Sequence, residues 1–327
     1  MSNLQAQPSS VTITTPARLH LGFFDLNGEY GRLFGSLGIA LNHLNTKLTA
    51  VKGTEFNAVG EESSRAAEVI HQLQQALDLP LSTSASLKIH QAIPAHAGLG
   101  SGTQLALAVG MAYSELYQLN LSPSQVAQYT SRGARSGIGV GTFLHGGVIV
   151  DGGRGDKTLT PPIIARANFP QDWHIVLIMD KHHQGLNGEH EVSAFNQLAP
   201  ATSQVADKLC RIVLMQALPA LAENDLVSFG LAVKALQEAT GDYFSPAQGG
   251  RYASKKVAQV LNWLEQQGLT CIGQSSWGPT GFAVVNTKEA ACSLVNTLNT
   301  QFAHALDLSF IATNAQPHGA VIDKSFD

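Results

Sequence analysis

The chain has 327 residues, of which 13% are charged against the roughly 25% usual for soluble domains and 44% are hydrophobic, enough to fill one large core or two ordinary ones. Lys plus Arg number 20 and Asp plus Glu 24, a net charge of -4, which excludes the broad cationic footprint that nucleic acid or an anionic membrane demands. Cys210, Cys271 and Cys292 form no CxxC pair and leave an odd thiol, the opening MSNLQAQPSS lacks the basic and apolar regions of a signal peptide, and no run approaches ~18 apolar residues, so a cytoplasmic protein is expected.

In chain order, residues 11–15 alternate as a strand, 19–26 resume one after Pro16, and 46–52 alternate again. Residues 64–78 carry helical spacing through Ala67, Ile70, Leu73 and Leu77, and residues 85–93 alternate as a strand. Residues 94–104, PAHAGLGSGTQ, break both periods, and 105–117 have the composition of a buried helix. Pro123 suits a first helical position, so a helix is predicted over 123–135, ending among the glycines of GIGVG at 137–141. Strands are expected at 143–151 and 174–180, with a loop between them that contains GGRGD (152–156) and Pro161-Pro162 and marks the domain boundary. The second half predicts helices at 202–222, 225–240, 254–267 and 288–304, with strands near 270–274, 281–286 and 309–313. Strands and helices in mixed order, without a regular βαβ rhythm, predict an α+β fold and disfavour a doubly wound sheet.

The sharpest local feature is the glycine loop at 94–104. Gly98, Gly100 and Gly102 alternate with Leu99 and Ser101, and Thr103 stands where a helix begins. Glycines permit positive φ, and a helix start offers unpaired N–H groups and the positive end of its dipole, so an anionic phosphate is favoured there, with Ser101 and Thr103 adding hydroxyls. A tight strand-to-helix turn without a ligand is the alternative. No lysine makes this a Walker loop, and GLGSGT is not the GxGxxG of a dinucleotide fold. The GIGVG string is explained about equally well by packing turns.

Residues 94–104 resemble the PxxxGLGSS loop of the GHMP superfamily, named for galacto-, homoserine, mevalonate and phosphomevalonate kinases. TPARLHLG (15–22) is similar to its first motif and GQSSWGPTGFA (273–283) to its third, so the resemblance spans nearly the whole chain in the right order. ARLHLGFFDLNG (17–28), RGARSGIGVGTFLHGGVIVDGG (132–153) and GLNGEHEVSAF (185–195) resemble its beta-ribofuranosylaminobenzene 5'-phosphate synthase branch. The resemblance implies a two-domain fold: a ribosomal-S5-like N-terminal domain, 1–157, with the phosphate loop, and a ferredoxin-like C-terminal α+β domain, 158–327. It also implies a decarboxylating C-ribosyltransferase, joining phosphoribosyl pyrophosphate to 4-aminobenzoate with release of CO2 and pyrophosphate on the route to tetrahydromethanopterin; 4-hydroxybenzoate in place of the amine stays open. Magnesium is the implied cofactor, the partners are these small molecules, and a homodimer is left open. A GHMP kinase and a catalytically silent phosphometabolite-binding protein are the rival readings.

Arg18 and His20 alternate on the first motif's strand and share a face, and the resemblance makes them the catalytic pair. Arg32 on the following loop is a candidate for an oxyanion, since its fork grips two oxygens at once. Asp25 either binds magnesium or opens the Asn27-Gly28 turn. Gly98, Gly100, Ser101, Gly102 and Thr103 are assigned to phosphate, and Ser275, Ser276 and Gly278 of the third motif to phosphate or sugar. Trp277 beside them is a packing anchor or a platform for an aromatic acid. Arg132 and Arg135, at an expected helix end, are read as complementing its dipole. The polar run 180–191 is a metal site, a substrate loop or solvated surface. Where many superfamily kinases carry an Asp in an SGxD-like segment, this chain reads Ser136-Gly137-Ile138-Gly139, which weakens the kinase reading. The DDxxTTG-like loop of ordinary phosphoribosyltransferases is also absent.

Overall fold

The computed structural model describes residues 7–80, 82–183, 198, 200–276 and 278–326. Two long strands, β1 (Ser10–Phe23) and β2 (Ser36–Gly53), pair antiparallel along most of their length. β1 runs through Pro16 because the register shifts between Thr15 and Ala17, so the missing N–H falls at a bulge where the ladder is already broken. β3 (Asn57–Val59), α1 (Ser63–Ala76), β4 (Ser84–Gln91), α2 (Ser101–Tyr117), α3 (Pro123–Tyr129), α4 (Ile138–His145), β5 (Val148–Asp151) and β6 (Ile163–Ala167) follow. The sheet has the order β11-β1-β2-β4-β3, with β5 pairing the start of β2, and β6 pairing β5.

The second half contributes β7 (His174–Asp180), α5 (Ser203–Ile212), which passes through a wide π turn (Val213–Ala217) into α6 (Leu218–Glu223), and the long α7 (Leu226–Gln248). α8 (Lys255–Gln266), β8 (Ile272–Gln274), β9 (Gly281–Val285), α9 (Lys288–Gln301), β10 (Leu308–Thr313) and β11 (Val321–Ser325) complete the chain. The sheet order β10-β7-β9-β8, all antiparallel, with helices after β7 and β9, is the ferredoxin-like arrangement that was expected. The π turn lies just ahead of Pro219, whose ring would strike the carbonyl one turn back in a regular helix; it breaks the single helix expected over 202–222.

Three cores result. α2 is buried nearly all round, packed by Leu105, Leu107 and Val109 among Ile13, Leu48 and Ile70. A second core joins the two halves, with Leu19, Leu21 and Ile39 of the first sheet meeting Leu177 and Phe282 of the second and Phe229 and Leu236 of α7. The third lies between the second sheet and α8 and α9, around Ile178, Val260 and Leu298. Among the described residues no helix is long and apolar enough to cross a membrane, and all three cysteines are free thiols.

Several expectations need correction. The helix predicted over 123–135 stops at Tyr129: the Thr130 hydroxyl folds back onto the carbonyls of Val126 and Ala127, and Ser131 turns left-handed at φ 53. The strand expected over 143–151 begins only at Val148, since GIGVG and the residues up to His145 form α4. Its glycines are packing positions, with Gly139 against the Thr103 side chain and Gly141 against Ile149 and Ile163. The division at 157/158 falls between two paired strands, β5 and β6, and β11 returns from the far end of the chain to edge β1, so the first sheet draws on residues from both sides of that line.

Candidate active site

The three glycine-bearing stretches converge on one carbonyl, that of Gly98. It accepts from Nη1 of Arg18 at 2.6 Å and from the Ser275 hydroxyl at 2.7 Å, while Ser275 Oγ accepts from the His20 amide at 3.0 Å. A side chain at Gly98, which sits at φ +77, would meet the Cα of Gly278 at 2.6 Å, so the first loop and the third motif cross where only glycine fits. Gln237 of α7 fastens the same crossing, donating to the carbonyls of Leu21 and Gln274 at 2.7 and 3.0 Å. Ser276 follows in a left-handed conformation, φ 56, its amide donating to the His20 carbonyl.

Gly100, φ +82, caps α2 and turns its face to the stem of Arg18. Its carbonyl accepts from Gln104, whereas the amides of Ser101, Gly102 and Thr103, the first of the helix, find no acceptor among the described residues. Gln104 is buried: it accepts from the Thr15 hydroxyl and donates to the Gly139 carbonyl at 2.8 Å, tying the start of α2 to β1 and α4.

Beside this helix end lies a polar cavity of about 180 Å³ lined by Arg18, His20, Phe23, Thr103, Ser276, Gly139 and the segment 131–136. Among the described residues three arginines, Arg18, Arg132 and Arg135, line it, and no carboxylate does. The guanidinium ends of Arg65 and Arg132 face Gly102, within 2.7 and 3.2 Å of where its side chain would begin. Burial, then Arg65, holds the Arg132 guanidinium below its ordinary pKa. A larger cavity of about 620 Å³, walled by Leu26, Leu33, Phe34 and Tyr243 with Arg154 and Asp156, shares Ser131, Ala134 and Arg135 with the first.

The arginine segment is irregular backbone held by one buried carboxylate. Asp151, at the end of β5 and without exposure, accepts from the hydroxyls of Ser36 and Ser136 and the amide of Gly137, and its other oxygen accepts from the Gly153 amide at 2.8 Å. Burial pushes its carboxyl up to about 6, against the pull of those donors.

His20 is 2% exposed and packs on Phe23 with ring centroids 4.6 Å apart. Both its ring nitrogens are buried and have no hydrogen-bond partner among the described residues. Burial first, then the charge of Arg18 and, more weakly, of Arg135, hold its pKa well below 6.5, so the imidazole is neutral.

Arg18, His20, Gly98, Gly100, Gly102, Thr103, Ser275, Ser276 and Gly278 are therefore brought together, with Arg18, His20, Thr103 and Ser276 lining the cavity itself. Ser101 stands at the first helical position, but its side chain is not in the lining. Arg32 is placed elsewhere: Nε and Nη2 donate to the carbonyls of Gly152 and Gly153 at 2.6 and 2.7 Å. Asp25 accepts from the amides of Asn27 and Gly28 at 2.9 and 3.0 Å, closing the hairpin turn outside the cavity. With Asp25 so engaged and no carboxylate in the lining, the described residues do not form a magnesium cage. Trp277 and the 184–191 part of the polar run lie outside the described residues; the described part has Asp180 accepting from the amides of His182 and His183, and no group of three metal-ligating side chains occurs among the described residues. Arg65, Ser131, Ser136 and Asp151 were missed, and Arg132 and Arg135 were read as helix-dipole partners, although the chain has left the helix before reaching them. The density of arginine and serine in RGARSG was the available signal.

Comparison with known proteins agrees with this geometry. The family described as GHMP kinases N terminal domain matches residues 64–147, and GHMP kinases C terminal matches residues 217–304. A protein of Archaeoglobus fulgidus named beta-ribofuranosylphenol 5'-phosphate synthase is 36% identical over 324 residues, 95% of this chain and 99% of its own. One of the same name from Methanothermobacter thermautotrophicus is 32% identical over 84% of this chain and 89% of its own. Among solved structures, homoserine kinase from Cytophaga hutchinsonii superposes with a TM-score of 0.65 over 99% of this chain and 100% of that one at 14% identity, a likeness of fold.

Proposed function

The chain belongs to the GHMP superfamily, alongside relatives named beta-ribofuranosylphenol 5'-phosphate synthase, and we propose that it moves the ribose 5-phosphate of phosphoribosyl pyrophosphate onto a para-substituted benzoate. The new bond forms at the ring carbon bearing the carboxylate, and CO2 and pyrophosphate depart, a step the resemblance puts on the route to tetrahydromethanopterin. The relatives are named for a ribofuranosylphenol, which favours 4-hydroxybenzoate over 4-aminobenzoate as the acceptor.

The observation that carries the reading is a cavity that the described residues line with three arginines and no carboxylate, at a helix start whose first three amides find no acceptor among them. Breaking the bond between the anomeric carbon and pyrophosphate leaves oxocarbenium character on the sugar and accumulates charge on the leaving group, so the leaving diphosphate is what must be stabilised. Guanidinium forks and aligned amides do this without rearranging as the charge develops. In this reading Arg132 and the Ser101, Gly102 and Thr103 amides hold the diphosphate, Arg18 fixes the loop and adds charge, and Arg135 stands between the two cavities, where the acceptor carboxylate meets the donor. The apolar wall of Phe34 and Tyr243 suits an aromatic ring. A kinase must bring a hydroxyl nucleophile to a γ-phosphate, and the carboxylate that often orients it is absent from Ser136-Gly137-Ile138-Gly139 and, among the described residues, from the cavity lining.

Purified protein with Mg2+, phosphoribosyl pyrophosphate and carboxyl-labelled 4-hydroxybenzoate or 4-aminobenzoate is expected to release labelled CO2 only when donor and acceptor are both present. ATP consumption with a small alcohol and no CO2 would replace this reading by the kinase. Donor binding with neither activity would replace it by the silent phosphometabolite-binding protein.

A further inference from the structure

We propose that His20 is the general base of the transfer, accepting the proton of the acceptor's para-hydroxyl as the ring attacks the sugar; this rests on the synthase reading above. The arginines lining the cavity only donate hydrogen bonds, whereas a neutral imidazole carries one N–H and one lone pair. That lone pair is buried and lacks an acceptor's usual partner, a costly arrangement in a fold that satisfies Gln104, Gln237 and Asp151 completely enough to tie three segments each. The ring lines both the arginine cavity and a smaller one of about 20 Å³, bordered by Gln237, Gln274 and Arg251, that has room for one water.

The chemistry needs such a group. A phenol pushes electrons into its ring strongly only as it loses its proton. His20 takes that proton, the O–H pair becomes the carbonyl of a cyclohexadienone, the ring carbon bonds to the anomeric carbon, and the C–O bond to pyrophosphate breaks with its pair. The C–C bond to the carboxylate then breaks, CO2 leaves, its pair restores the aromatic ring, and the oxygen takes the proton back from the imidazolium. No oxidant or reductant is required. Burial first, with Arg18 and more weakly Arg135 adding to it, keeps the imidazole neutral, and anionic substrates seated on those arginines offset their charge when the imidazolium forms. Arg251, beyond the small void, is itself paired with Asp242 at 2.8 Å.

An aryl amine has its lone pair available and no proton to shed before attack, which supplies the test. In His20→Asn and His20→Gln, turnover of 4-hydroxybenzoate is expected to fall about 100-fold or more, while ring-fluorinated 4-hydroxybenzoates, already ionised near neutral pH, recover most of it and 4-aminobenzoate slows by no more than about threefold. Equal losses with all acceptors would overturn the assignment and leave His20 a positioning residue. No CO2 from wild type with any acceptor would sink the synthase reading and this one together. Should neither variant fold, histidine-labelled wild type with pyrophosphate gives a second readout: 4-hydroxybenzoate is expected to shift one buried ring nitrogen as an accepted hydrogen bond does, and 4-methoxybenzoate to leave it unmoved. Identical spectra for the two acids would overturn the proposal.

Discussion

The glycine loop at 94–104 and the arginine segment at 131–137 border the same cavity and divide the work in opposite ways. The loop is conspicuous in sequence, yet Gly98 and Gly100 serve backbone crossings, the one against Gly278 and the other against the stem of Arg18. The arginine segment has no regular structure and looks like a worn helix end, yet it supplies half of the side chains that line the cavity among the described residues. A glycine reports that something comes close; it does not say whether that is a ligand or another piece of the chain.

The largest effect is expected where backbone meets backbone. In Gly278→Ala the new carbon would lie 2.5 Å from the Ala97 carbonyl carbon and closer still to Gly98, and neither can step aside. A loss of about 3 kcal/mol or more is expected, read as a large fall in melting temperature or failure to accumulate as folded protein. A variant melting with wild type would mean that the two loops do not cross as described.

Arg135→Met is the counterpart in the other region. It keeps the long apolar stem and removes the charge, so the fold is expected to hold while donor KM rises about 10- to 100-fold, the equivalent of roughly 1.5–3 kcal/mol for a charged hydrogen bond. Unchanged kinetics would remove Arg135 from the meeting point of donor and acceptor.

Much of the frame was legible because its elements are strongly periodic: β7 was read at its full extent, and α8 and β9 to within a residue or so. β11 was not, because its residues VIDKS lie at a sheet edge, mostly exposed, and show no apolar alternation. α4 was hidden by two glycines, Gly139 and Gly141, that weaken helix propensity and that tertiary packing against Thr103, Ile149 and Ile163 requires. The face shared by Arg18 and His20 followed from strand alternation alone. Asp151 was invisible as a site residue since three of its four donors come from two separate stretches, Ser36 and 136–137, and Arg32 and Asp25 look like ligands until the carbonyls and amides that engage them are seen.

Asp151→Asn tests how firmly the arginine segment depends on that carboxylate. Both oxygens accept from a backbone amide, so the introduced NH2 must face one of them and leave it unsatisfied, at about 1–3 kcal/mol. A several-fold rise in donor KM is expected as Ser136 and Arg135 lose their mooring. The carboxyl's pKa is raised to about 6 in the fold, so the native state holds the proton more tightly than the unfolded chain. Its stabilising share is complete below about pH 4 and is lost as pH rises through about 6, a swing of about 3 kcal/mol at most. Thermal melts from pH 4 to 7 are expected to show that slope in wild type and its loss in the variant; parallel slopes would rule it out.

The smallest effect separates the two uses of glycine within one loop. Gly102 lies inside the first turn of α2, has no positive φ, and faces the ends of two flexible side chains, Arg65 and Arg132. Alanine there gains helix propensity worth up to about 1 kcal/mol, and the guanidinium groups can swing away at little cost. Gly102→Ala is therefore expected to melt at or slightly above wild type, the reverse of Gly278→Ala. Because one of the displaced guanidiniums, that of Arg132, is assigned to the diphosphate, calorimetry with pyrophosphate is expected to show a few-fold weaker affinity in the same variant. Stability and binding moving in opposite directions would identify Gly102 as the loop's ligand-facing glycine, whereas a gain in stability with unchanged affinity would assign that face to the fold alone.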